Sequence, residues 1–205
     1  MELFGRASQL PGVGASPSAT LAHMAHRTTA ELDAALGHLR AAPSDDGTLE
    51  LVLRRPAVGE REILDEARLT FSDGVDGDTW KVRGSKRTAD GSSHPDMQLN
   101  VMNARLGRLI AEDDAHMAEA GDQLYVDFDL SDSNAPAGTR LSIGSAVIEI
   151  TDQPHNGCPK FKTRFGQDAL RFVNSPVGKE LHLRGVNAKV VVEGTVRPGD
   201  TVTKQ

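Results

Sequence analysis

The chain has 205 residues with 23 Lys or Arg against 29 Asp or Glu, a net charge of −6, and 4% aromatic residues. That balance argues against a phosphate-tracking basic surface and a base-stacking platform, so nucleic acid is not expected as a partner. One cysteine, Cys158, excludes an internal disulfide framework and any multi-cysteine zinc site, and fits a reducing cytoplasm.

A chain of this length is expected to fold as one domain around its own core. Residues 1–22 lack a basic stretch followed by a continuous apolar run, and no uninterrupted apolar run reaches membrane-spanning length, so neither secretion nor membrane insertion is expected. Residues 1–15 are rich in Gly, Ser and Pro and read as irregular. From Ser18 to Ala41 the pattern becomes helical: Thr28 with Glu31 makes a capping box, and Leu32, Ala35, Leu36 and Leu39 share one apolar face. His23 and His26 lie on this segment. Without the third ligand of a zinc site, they read as surface or packing histidines.

Strands dominate the rest of the chain. Leu49 to Arg54 reads as a strand stopped by Pro56, and Arg61 to Thr70 fits helix or strand equally. Gln98 to Met102 reads as a strand feeding a helix from Asn103 to Ala111. The alternation of Leu124, Val126, Phe128 and Leu130 with Tyr125, Asp127 and Asp129 predicts a half-buried strand. Ile143 to Thr151 and Ala188 to Glu193 add further strands, with a short helix over Gly166 to Asn174 between them. The turns at Pro136-Ala137-Gly138 and Pro198-Gly199-Asp200 are those of a barrel or sandwich, not of a βαβ repeat. The carboxylates from Glu112 through Asp132 fail the calcium-loop pattern for want of its glycine and read as a solvated face.

Cys158 sits in Pro154-His155-Asn156-Gly157-Cys158-Pro159-Lys160-Phe161, just after the apolar run Ala146 to Ile150. A lone cysteine is most often a small buried hydrophobe. The Gly and Pro flanks point away from a strand core, and the nearby His155, Lys160, Lys162 and Arg164 favour the thiolate, the form that binds soft metals and attacks sulfur. From Gln153 to Arg184 six cations (Lys160, Lys162, Arg164, Arg171, Lys179, Arg184) face two anions, Asp168 and Glu180, in an otherwise acidic chain. Such a field attracts an anionic ligand. His155 reads equally as a proton-transfer group or as a residue that holds the turn.

Several pieces around this cysteine resemble the MOSC family, named for the C-terminal domain of molybdenum cofactor sulfurase. They are Gly74-Val75-Asp76-Gly77-Asp78, the stretch Ala137 to Gly144, the run from Gln153 through Cys158 to Gly166, Arg184-Gly185-Val186-Asn187-Ala188, and Gly194 to Asp200. The resemblance covers about residues 58–203. It divides the chain into an N-terminal extension, 1–57, whose helix packs on the barrel or on a second subunit, and a barrel domain, 58–205. It implies a mainly β fold with a few helices: a closed antiparallel or mixed β-barrel, akin to the pyruvate-kinase barrel.

The same resemblance implies the molybdenum cofactor, with Cys158 as metal ligand or sulfur carrier. A pterin dithiolene with a phosphate tail needs a soft ligand and cationic, amide-rich contacts. Cys158 fits the first need, and Lys160, Lys162, Arg164, Arg184 and Asn156 the second. The leading expectation is an oxo-transfer reductase of N-hydroxylated compounds, fed by a separate electron-donor reductase. Its rivals are a sulfur carrier with a Cys158 persulfide and a non-catalytic barrel for an anionic ligand. Pyridoxal phosphate serves another domain of the sulfurases and is not expected here. The oligomeric state stays open, a homodimer included.

Overall fold

The structure, a computed structural model, describes residues 26–205. In chain order these form α1 (Thr29–Ala34), α2 (Leu36–Arg40), β1 (Gly47–Arg54), β2 (Glu62–Leu64), β3 (Ala67–Thr70), β4 (Gly74–Val75), α3 (Trp80–Arg83) and a 3-10 turn, Pro95–Met97. Then come β5 (Leu99–Asn103), α4 (Ala104–Ile110), α5 (Asp114–Ala118), β6 (Leu124–Asp127), β7 (Arg140–Ile143) and β8 (Ala146–Ile150). The last elements are α6 (Pro159–Val173), α7 (Pro176–Glu180), β9 (Val186–Val192), β10 (Gly194–Val196) and β11 (Thr201–Lys204).

Seven strands close into a barrel in the order β11-β7-β8-β9-β5-β6-β1, with β1 pairing back onto β11. Only β5 and β6 run parallel. The expected closed, mixed β-barrel with a few helices is what forms. Closure leaves its strands no free edge, while β2 extends outward from β1. A small sheet, β10-β3-β4, lies beside it. The barrel takes its first strand from Gly47–Arg54, upstream of residue 58.

Alternation sorts the side chains. Leu124, Val126, Phe128 and Leu130 fill the barrel interior with Leu99, Val101, Leu141, Ile148 and Ala188. Tyr125 faces the other way, into a second apolar layer formed by Met102, Leu106, Phe161, Phe165 and Leu32 between the barrel wall and the helices. Each such large side chain contributes roughly 1.5–3 kcal/mol on burial. Among the described residues, no helix is long and apolar enough to cross a membrane.

One irregularity matters for the site. The β1–β6 register shifts between Leu49 and Leu51. Leu49 and Val52 therefore face the interior, whereas Leu51 and Leu53 join the outer layer. Without this bulge, residues 49, 51, 53 and 55 would share the inner face. The bulge delivers Arg55 to the outer wall.

Three sequence expectations change. The helix expected to Ala41 is two short helices meeting at Ala35, and its portion before residue 26, His23 included, lies outside the described residues. The Thr28–Glu31 capping box is present, and α1 packs on α6. Arg61 to Thr70 resolves into strands β2 and β3. The helix expected from Gly166 begins at Pro159 instead, because proline at the first helical position costs no hydrogen bond and presets φ. Gly166, at φ 93°, kinks it, and the His26 ring lies against that glycine where a side chain would stand.

Candidate functional site

Pro159 opens α6, so Cys158 is its N-cap residue, with extended backbone and an exposed, disulfide-free thiol. Asn174, at the far end of α6, clamps the loop before it: Gly157 N–H donates to Asn174 Oδ1 at 3.0 Å, and Asn174 Nδ2 donates to the Gly157 carbonyl at 3.1 Å. A Cβ on Gly157 would come within 2.8 Å of Leu170 and Val173. Glycine is needed for that close approach.

His155 turns inward. Its Nδ1 lies 3.5 Å from Asp122 Oδ1, while Asp122 Oδ2 accepts from Arg184 Nη1 at 2.6 Å. Arg184 also donates to the Ala120 carbonyl and lies over the Phe161 ring of α6, 5.1 Å from its centroid. Asp122 is fully buried and Arg184 nearly so, which corrects the solvated reading of the acidic stretch at this position. Glu112, Asp113, Asp114 and Asp132 of that stretch are exposed. His155 Nδ1, Asp122 Oδ1 and Arg184 Nε are buried without a hydrogen-bond partner meeting ordinary geometry, three such atoms in one cluster.

Burial pulls His155 well below its ordinary value near 6.5, and the Arg184 and Arg55 cations add to that. The imidazole is neutral at neutral pH. Asp122 is raised by burial, with Arg184 opposing. As pH falls through about 6.5 the unfolded chain takes up a proton at His155 that the folded chain refuses, so this part of the stability is complete above that pH and lost below it. The urea midpoint of the native chain should therefore drop more between about pH 7.5 and 5.5 than that of His155→Gln. Equal drops would mean the imidazole is solvated. Asp122, with the opposite sign, is common to both proteins and largely cancels.

A cavity of about 510 Å³ opens beside this cluster, its wall including Gln153, His155, Asn156, Lys179, His182 and Arg184. Cys158 is not among its lining residues. Of the expected cofactor-binding cations, Arg184 reaches the cavity but is paired, and Arg164 is paired with Glu119. Lys160 and Lys162 are exposed on α6 and make no ion pair among the described residues. Asn156 lines the cavity and is exposed.

Behind the cluster runs a polar spine on the barrel's outer wall. Arg55 donates from Nε and Nη2 to the two oxygens of Asp78, at 2.9 and 2.8 Å, and from Nη1 to Asn100 Oδ1 at 3.2 Å. Asn100 Nδ2 donates to Asn187 Oδ1 at 2.7 Å, and Asn187 Nδ2 to the Gln153 carbonyl at 3.0 Å, just before the cysteine loop. Sequence reading misses this spine and Asp122. Asp78 is visible there only as the end of a turn, and its partner is 23 residues away.

Fold and site thus define a class: a closed mixed β-barrel carrying one exposed thiol on a clamped loop beside a polar cavity. A model of the MOSC domain matches residues 92–203, more than half of the chain. The chain belongs to the MOSC domain family. Its structure is similar to that of a hypothetical protein (22% identity, TM-score 0.51, covering 78% of this chain and 68% of that one) and of YuaD from Bacillus subtilis (15%, 0.51, 76% and 93%). YiiM from Escherichia coli also matches (22%, 0.48, 77% and 69%). At these identities the first two likenesses speak for the fold alone. No curated protein matches.

Proposed function

We propose that this protein binds the molybdenum cofactor, with Cys158 as the protein's ligand to the metal, and reduces N-hydroxylated compounds by oxo transfer. The observation that carries the reading is the free, exposed Cys158 thiol next to a clamped loop, beside a cavity whose wall includes Asn156, Lys179 and Arg184. Among the described residues no three His, Cys, Asp or Glu side chains gather as a metal site. A metal carried by its own chelator, needing one soft protein ligand, suits this donor set.

Bound cofactor would supply two-electron oxo-transfer chemistry. The chain's residues do the rest. Cys158, as thiolate, would hold the metal; Lys179, with Asn156, would hold the anionic end of the ligand; Arg184, fixed by Asp122 and Phe161, would shape the cavity wall beside them. His155, neutral and in the cavity wall, would offer the departing oxygen a hydrogen-bond partner and not a titrating acid. Electrons come from a separate reductase. Protein purified from a cofactor-competent host should contain molybdenum and pterin in near-equal amounts, and their absence would reject the reading.

Exposure of Cys158 outside the cavity wall favours one second reading, a persulfide carrier that hands sulfur to a partner. Cyanide-releasable sulfur on metal-free protein would support it, and a chain free of such sulfur would remove it.

A further inference from the structure

A second cavity, about 70 Å³, lies between β5 and the loop that follows α3, lined by Trp80, Arg83, Ser85, Ser93, His94 and Asn100. At about 30 Å³ per water it has room for two waters or one tetrahedral oxyanion. No carboxylate lines it.

Its polar groups are spoken for in a pattern that leaves donors. His94 Nδ1 accepts the Asp96 N–H at 3.2 Å, so the proton of the neutral ring sits on Nε2. Ser85 Oγ accepts the Arg87 N–H at 3.1 Å, which leaves its hydroxyl hydrogen to donate. Asn100 spends both ends of its amide on Arg55 and Asn187. Ser93 Oγ donates to the Lys81 carbonyl, and Trp80 Nε1 to that of His94. Arg83 makes no hydrogen bond or ion pair among the described residues. The Asp78 carboxylate, whose charge acts on Arg83, is engaged by both arms of Arg55.

The loop is built to hold this arrangement. Ser85 N–H donates to the Gly91 carbonyl, and Gly84, at φ +65°, comes so close to that oxygen that a Cβ would strike it. Partial desolvation draws Arg83 below its ordinary value, with the like charges of Arg55 and Arg61 adding to that and Asp78 opposing, while the residue stays open to solvent. A cation crowded by cations gains most from an anion.

We propose that this cavity binds a tetrahedral oxyanion, either free phosphate or sulfate or the phosphate ester of a larger molecule, through the Arg83 guanidinium, His94 Nε2–H and Ser85 Oγ–H. Cys158 is not among the lining residues, and the proposal does not depend on the cofactor reading.

Calorimetric titration of the full chain with inorganic phosphate, sulfate and phenyl phosphate tests it, for the native protein and for Arg83→Gln, Arg83→Lys and His94→Asn. Asparagine at 94 keeps an acceptor for the Asp96 N–H while removing the Nε2 donor. Saturable binding is expected in the native chain, weakened about tenfold or more by Arg83→Gln and His94→Asn, less by Arg83→Lys, and unchanged in Lys160→Gln. Binding of the inorganic ions identifies a free oxyanion as ligand, and binding of phenyl phosphate alone identifies an ester. No saturable heat with any probe at about 10 mM, or undiminished binding in Arg83→Gln, would overturn the proposal.

Discussion

Asp78→Ala is expected to cost about 3–5 kcal/mol of folding stability, because it strands a buried guanidinium. Arg55 and Asp78 are 5% and 0% exposed, and the pair is bidentate. Asp78 also accepts the backbone N–H groups of Arg55 and Trp80. The variant therefore loses the partner of a charge and two backbone acceptors together. Urea unfolding at neutral pH measures the loss, and a change under about 1 kcal/mol would show that water reaches the Arg55 head. Arg55→Met in the Asp78→Ala background should recover part of the stability, since an apolar pair leaves no buried charge unmatched.

The second large effect is expected at Gly185→Ala. Gly185 has φ +103°, where an L side chain costs about 1–3 kcal/mol in backbone strain. Its Cβ would also strike the Val101 carbonyl oxygen and crowd Met102 Cα at 3.2 Å on β5. Neither neighbour can move, both being barrel backbone. Gly199→Ala is the control: its φ is +94°, and nothing lies within 4 Å of its Cβ. The Gly185 variant should lose clearly more stability by urea unfolding than the Gly199 variant. Equal losses would mean the contact with β5 relaxes freely. Because Gly185 follows Arg184, the same change should disturb the Arg184–Asp122 pair.

These residues show where sequence reading stops. The alternation Leu124 to Leu130 is legible because one face packs inside a barrel, and the Thr28 capping box because it is local. The Arg184–Asp122 pair and the outer-wall spine are not legible, since Arg184 and Asp122 are 62 residues apart and Arg55 reaches the wall only through a bulge that the apolar run Leu49 to Leu53 conceals. Pro159 is a readable signal of a helix start, but Gly157 just before it makes the segment look like a turn. Cys158, His155 and Asn156 stand out together in sequence, and the structure places His155 and Asn156 on one cavity with Cys158 exposed beside them. Lys160 and Lys162 carry the same sequence signal as Arg184 but lie on exposed positions of α6, because nearness in sequence along a helix does not settle which face points to a site.

The proposed function rests on Cys158. Its most direct test is the molybdenum content per chain of native protein and Cys158→Ser, produced side by side in a cofactor-competent host. The thiol is exposed, so the variant should unfold at the native urea midpoint. Near-stoichiometric molybdenum in the native chain, lost in the variant, is the predicted result. Equal molybdenum in both, or none in the native chain, would contradict the assignment of Cys158 as metal ligand.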